Sequence, residues 1–143
     1  MQSFPMKIVT AVDGSEESTK AALFSVSLAK SSGAALIGLH VMHLPEYVSD
    51  DAIKRMRSEL SAKGDAALKD AKSVAESQSI SMSTKLLETT SSVVDAICNF
   101  ASAEGADLIV LGTRGTGGMA KLMLGSVAVG VARSARCPVL VAR

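Results

Sequence analysis

The sequence predicts an α/β fold built on a parallel sheet, and three observations carry that expectation. Five short apolar runs alternate with four longer segments of helical character, the order of elements that a parallel sheet requires. The first, second and fourth runs are apolar nearly throughout, as strands covered by helices on both faces are. The third alternates, with Ile80, Met82, Thr84 and Leu86 on one side and Ser81, Ser83 and Lys85 on the other. That is the pattern of a half-exposed strand at a sheet edge.

Each element has its own signals. The first run, K-I-V-T-A-V at 7–12, leads into Asp13-Gly14-Ser15 and then Glu16-Glu17. Ser15 suits a helix N-cap, and the two acids complement the helix dipole. The second run, 35–42, is A-L-I-G-L-H-V-M. A helix over about 50–78 sets Ile53, Met56, Leu60, Ala67, Ala71 and Val74 along one face and Lys, Arg, Asp and Glu along the other, so it is an outer amphipathic helix. After the alternating run at 80–87, the third helix places Val93, Val94, Ile97, Phe100 and Ala101 at helical spacing. The fourth run occupies 107–112. The last helix, about 126–136, is nearly all small and apolar and is expected to be deeply packed. The fifth run is P-V-L-V-A at 138–142. No repeat, linker or low-complexity tract interrupts the series.

Bulk properties exclude several classes. A chain of 143 residues suits one domain, 1–143, with one core. Three Phe, one Tyr and no Trp leave an aliphatic core and no aromatic platform for single-stranded nucleic acid. Fifteen basic residues against fourteen acidic argue against any nucleic-acid partner. No apolar run approaches the roughly 18 residues of a membrane span. The N-terminus has no basic segment leading into an apolar one, so no signal peptide is expected. Cys98 and Cys137 form no CxxC or metal-ligand spacing, consistent with a reducing compartment and a cytoplasmic location. Cys98 falls on the apolar face of the third helix and reads as core, and a redox role for Cys137 is the lesser alternative. His40 and His43 are three apart along a strand or its end, so they face opposite sides and share no metal. Both read as core or rim histidines.

The stretch L-G-T-R-G-T-G-G-M-A-K-L-M-L-G-S, Leu111 to Ser126, holds five glycines and no acid. It follows the fourth strand and opens the last helix. No acid occurs after Asp107, whereas Arg114, Lys121, Arg133, Arg136 and Arg143 do. Glycines let backbone N–H groups approach phosphate oxygens, and a helix N-terminus favours an anion. Ser126 adds a hydroxyl donor or a cap, and Arg114 or Lys121 screens phosphate charge. The first helix, with Glu16 and Glu17 in its opening turn, repels a phosphate. In open parallel sheets ligands sit beyond the carboxyl ends of strands where strand order reverses, and the turn after the first strand and this stretch line one crevice if their strands are neighbours. Tight turning alone is the plain alternative for the glycines, and a turn preceding the cap is the plain alternative for Asp13. A Walker A loop needs Gly-Lys-Ser/Thr, and no Gly precedes Lys121. The dinucleotide pattern at 115–120 lacks its later acid.

The spacing Gly112-x2-Gly115-x9-Gly125-Ser126 resembles the ATP-binding signature of the universal stress protein family. The resemblance extends to I-V-T-A-V-D-G-S-E-E-S at 8–18, G-L-H-V at 38–41 and C-P-V-L-V at 137–141, and so covers the whole chain. It implies an open five-stranded parallel sheet of order 3-2-1-4-5 with helices on both faces, a Rossmann-like architecture of the adenine nucleotide alpha hydrolase type. It implies that adenine lies near Ala11, Val12, Asp13 and Val41, partly through backbone contacts. Ribose and phosphates then meet Leu111, Gly112, Gly115, Gly125, Ser126 and Val127. It further implies ATP with a divalent metal, Mg2+ or Mn2+, carried by the phosphates, and a homodimer through 138–142. An apolar edge strand left open invites aggregation, which pairing of two copies removes.

The leading functional reading is therefore an ATP-binding protein that senses or signals stress. No Ser/His/Asp set and no paired carboxylates mark it as an enzyme, although slow ATP hydrolysis stays open. ATP-pyrophosphatases and nucleotidyl transferases share the architecture, but their S-G-G-x-D-S and H-x-G-H markers are absent. A dimeric scaffold that works without nucleotide is the third reading, and the intact glycine signature argues against it.

Overall fold

The computed structural model describes residues 4–113 and 124–143. Its elements run β1 (Lys7–Ala11), α1 (Glu16–Ser32), β2 (Ala35–His43), α2 (Asp50–Ser77), β3 (Met82–Thr89), α3 (Val93–Ala103), β4 (Leu108–Gly112), α4 (Ser126–Ser134) and β5 (Val139–Ala142). The five strands form one parallel sheet of order β3-β2-β1-β4-β5. The chain builds outward from β1 to β3 and then crosses to the other side of β1. Strand order thus reverses between β1 and β4, whose register sets Ile8, Val9 and Thr10 opposite Leu108, Ile109 and Val110.

Alternation along the strands divides the core between two faces. On one, Ile8, Leu36, Met82, Leu108 and Val110 pack with Ala21, Ala22 and Val26 of α1 and Leu68 and Ala71 of α2. On the other, Val9, Ile37, Leu39, Ile109 and Leu111 pack with Ile97 and Ala101 of α3 and Ala128 and Val131 of α4. This burial on both faces explains the unbroken apolar runs of β1, β2 and β4. Strand β3 stands at the edge beside β2, with Met82 buried, Leu86 half-buried and Ser83 and Lys85 exposed, as its alternation requires; Thr84, on the Met82 side, is exposed as well.

Helix α1 lies close on the sheet because its inner face is small. Ala21, Ala22, Ser25 and Ala29 are buried, and the Ser25 hydroxyl donates to the Ala21 carbonyl at 2.9 Å. A serine caps each of the first three helices. Ser15, Ser49 and Ser92 accept from the backbone N–H of Ser18, Ala52 and Asp95, which satisfies an amide that the helix itself leaves unpaired.

Two expectations shift. β3 begins at Met82 rather than residue 80, because the chain leaves α2 through Ser79 at φ 59° and the Ile80 N–H bonds back to the Ala75 carbonyl at 2.9 Å. Helix α4 is not deeply packed. Only Ala128 and Val131 are buried, and the helix ends at Ser134. It rests on α3 and β5 at the outer end of the sheet, so only one face meets the protein, and Val127, Ala132 and Arg133 face outward.

Thr10 is fully buried in β1, and its Oγ1 has no hydrogen-bond partner among the described residues. A buried hydroxyl without a partner costs about 1–3 kcal/mol. Thr10→Val keeps the branched shape and removes the hydroxyl. Its melting temperature is expected to rise by roughly 2–8 °C, read by thermal unfolding, and a lower one shows that the hydroxyl is satisfied in solution.

Candidate functional site

The carboxyl ends of β1 and β4 carry two turns that the chain builds very differently. After Ala11, the Val12 N–H donates to the Leu39 carbonyl at 2.8 Å, and the Val12 side chain is buried under α1 and α2. Asp13 then folds the turn. Its Oδ1 accepts from the Ser15 N–H at 2.9 Å, and its own N–H donates to Ser18 Oγ at 3.3 Å. Gly14 takes φ +85°, a left-handed conformation that glycine adopts without strain. Ser15 caps α1, with Glu16 and Glu17 behind it. The N-terminus of α1 is thus satisfied by its own side chains.

The second turn starts where β4 passes α1. At Gly112 an added Cβ would lie 2.8 Å from the backbone C and O of Glu17, so α1 sits as close as it does only because this residue has no side chain. Thr113 is buried, and its N–H donates to the Ala142 carbonyl of β5 at 3.1 Å. Its carbonyl accepts from the Gly125 N–H at 2.6 Å. The start and end of the glycine-rich stretch are therefore tied together across one hydrogen bond. Gly125 is the N-cap of α4 and offers no side chain, while its carbonyl accepts from the Val129 N–H at 3.0 Å. No acid stands in the first turn of α4. Among the described residues, the opening amides of α4 thus meet no capping side chain and no carboxylate of their own helix, an arrangement that favours an anion at the positive end of the dipole.

Ala11, Val12, Asp13, Val41, Leu111, Gly112, Gly125, Ser126 and Val127 all come to the carboxyl end of the sheet or to the helix start that follows it. Ala11 and Val41 sit half-buried on the α3 and α4 face, and Asp13, Ser126 and Val127 are exposed. Val12 and Leu111 are core side chains, so neither offers a side chain to a ligand. The Gly125 N–H is bonded to the Thr113 carbonyl, so the amides at this helix start that could meet a ligand begin at Ser126. Ser126 is the first helical residue and does not cap. Gly115, Arg114 and Lys121 lie outside the described residues. Among the described residues, no three His, Cys, Asp or Glu side chains gather as a metal site. His40 and His43 separate as expected, one half-buried and one exposed.

Sequence reasoning missed two features. His40 Nδ1 donates to the Val12 carbonyl at 2.7 Å. At the opposite end of the sheet, Cys98 and Cys137 line one small cavity with Ala101, Ser102, Ala106, Ile109 and Arg136. Burial raises the pKa of both thiols, helped by Asp95 and Cys137 at Cys98 and by Asp107 at Cys137. They are thereby kept protonated near neutral pH, the reverse of an activated nucleophile. Nothing in the separate contexts of residues 98 and 137 announced that they share a cavity.

Comparison with known proteins is concordant. The family model described as the universal stress protein family matches residues 6–143. A universal stress protein of Methanocaldococcus jannaschii is 35% identical over 140 residues, covering 96% of this chain and 81% of that protein. The universal stress protein from Archaeoglobus fulgidus in complex with dAMP superposes with a TM-score of 0.73 at 26% identity, covering 96% of this chain and 98% of its own. A universal stress protein in complex with cAMP gives 0.74 at 26% identity, with 96% and 97% covered.

Gly112→Ala is expected to lower stability by roughly 1–3 kcal/mol, because the new methyl meets backbone rather than a yielding side chain. Urea unfolding measures it. An unchanged midpoint shows that α1 can withdraw at no cost and removes the packing reason for this glycine.

Proposed function

The chain belongs to the universal stress protein family, and from that premise we propose that it binds an adenine nucleotide in the crevice between the β1 turn and the start of α4. The observation that carries the reading is the α4 N-terminus. It is the one helix start among the four described that no side chain caps, and it lies beyond the strand-order reversal, where open parallel sheets take ligands. The α1 N-terminus beside it is occupied by Ser15, Glu16 and Glu17. The two structural relatives in complex with dAMP and cAMP support an adenine nucleotide as the ligand class.

In this reading the Ser126 and Val127 amides and the Ser126 hydroxyl receive phosphate. Backbone groups of Val12 and Val41, with the Ala11 side chain, border the base, and Asp13 stands at the mouth. Gly112 and Gly125 shape the cradle, the first by admitting α1 and the second by closing on Thr113. Gly115 contributes to the loop between them. ATP is the proposed nucleotide, with Mg2+ or Mn2+ held through its phosphates and supplying charge neutralisation there. The protein is a binder that signals energy or stress state rather than an enzyme. Asp13 is already engaged by the Ser15 N–H and is poorly placed to activate water. The proposed homodimer forms along β5, whose residues 139–141 are half-buried and, among the described residues, pair only with β4.

The test is calorimetric titration of ATP with Mg2+ into wild type, Ser126→Pro and Ser126→Ala. Proline is tolerated at the first helical position and deletes one amide donor. Gly125 already has φ −69° and ψ 162°, which suits a following proline. Ser126→Pro is expected to bind about 10- to 100-fold more weakly with its fold intact, the worth of one charge-assisted hydrogen bond, while Ser126→Ala reports the hydroxyl alone. Equal affinity in wild type and Ser126→Pro removes α4 from the site. A folded wild type that binds neither ATP, ADP nor AMP hands the reading to the nucleotide-independent scaffold.

A further inference from the structure

We propose that His40 is a positioning residue for this crevice, holding the Val12 carbonyl so that the backbone of Val41 stays open to the base. The inference rests on the nucleotide reading above but draws on separate geometry.

The β1–β2 register ends at Ala11 opposite Leu39. The Val12 N–H still reaches the Leu39 carbonyl. In a regular parallel ladder the next bond would join the Val41 N–H to the Val12 carbonyl. Here the Val12 carbonyl accepts instead from His40 Nδ1 at 2.7 Å. A carbonyl only accepts, so Nδ1 carries the proton. The backbone of Val41, two residues beyond Leu39, faces the same side of β2 and therefore turns toward the gap past the end of β1. Val41 and Ala11 border that gap on the α3 and α4 face, whereas His40 approaches from the α2 face. A ring on one face thus ends the ladder and frees backbone groups for the other.

The ring itself is wedged. Gly64 lies in the interior of α2, where glycine costs about 1 kcal/mol relative to alanine. A Cβ there would stand 2.6 Å from His40 Cδ2, 3.2 Å from Nε2 and 2.7 Å from Leu86 Cδ1. The helix gives up a side chain at the place where the ring passes. Beyond Val12, the Asp13 N–H and carboxylate are bonded to Ser18 and Ser15, so the His40 bond completes the fixing of the whole turn.

The experiment compares His40→Leu with His40→Asn, whose amide nitrogen can take the place of Nδ1. Three readouts are taken: ATP affinity, melting temperature, and hydrogen exchange of the Val41 and Asp13 amides in the free protein. His40→Leu is expected to bind ATP about 10-fold more weakly, the worth of one buried hydrogen bond. His40→Asn is expected to stay within about 3-fold of wild type on the same scale. In the free protein, exchange at Asp13 should quicken in the leucine variant and not in the asparagine variant. Leucine binding ATP like wild type, or asparagine losing as much as leucine, overturns the proposal. If wild type binds no nucleotide, the functional reading fails, and the clamp is judged on exchange alone: equal Asp13 protection in both variants refutes it. Should His40→Leu not fold, Gly64→Ala keeps the histidine but displaces its ring. It must then weaken ATP binding, and unaltered affinity with a shifted His40 resonance overturns the proposal.

Discussion

The site depends on two helix N-termini that reach the same end of a parallel sheet, one opened by a capping serine and two acids and the other by a glycine. Each helix start leaves several amides unpaired. At α1 the chain answers them with Ser15 and surrounds them with Glu16 and Glu17. At α4 it supplies Gly125, no side-chain cap and no acid. The reversal of strand order between β1 and β4 places these two ends beside each other, so electrostatics assigns an anion to one side of the crevice only.

Most of the crevice is made of backbone. Val12 and Leu111 bury their side chains in opposite layers of the core, and Gly112 has none because Glu17 leaves no room. Asp13, Ser15 and Ser18 use their side chains to shape the turn. These bonds shape the β1 turn before any ligand arrives, which reduces the ordering cost of binding there.

The sheet was legible because its strands differ in burial. β1, β2 and β4 lie between two helix layers and carry continuous apolar runs, while edge strand β3 alternates. Ser15 was legible as a cap because serine followed by two acids has a local cause. The packing of α4 was not, since Val127, Ala128, Val129 and Val131 are all apolar and composition does not say that only one face meets the sheet. The bond of the Gly125 amide was not legible for a related reason: a glycine shows that backbone can approach something, and here one partner is the Thr113 carbonyl. His40 and Gly64 are 24 residues apart in sequence, and only the docking of α2 on β2 and β3 makes the absent side chain of one explain the placement of the other.

The central claim is the place of binding, and amide chemical-shift mapping by NMR tests it most directly. Isotope-labelled protein is titrated with ATP and Mg2+. The largest shifts are expected on Val12, Asp13, Val41, Ser126 and Val127, with Ala101, Ala106 and Cys137 at the far end of the sheet unmoved. Shifts centred on the cavity of Cys98 and Cys137, with Ser126 and Val127 unchanged, would contradict it.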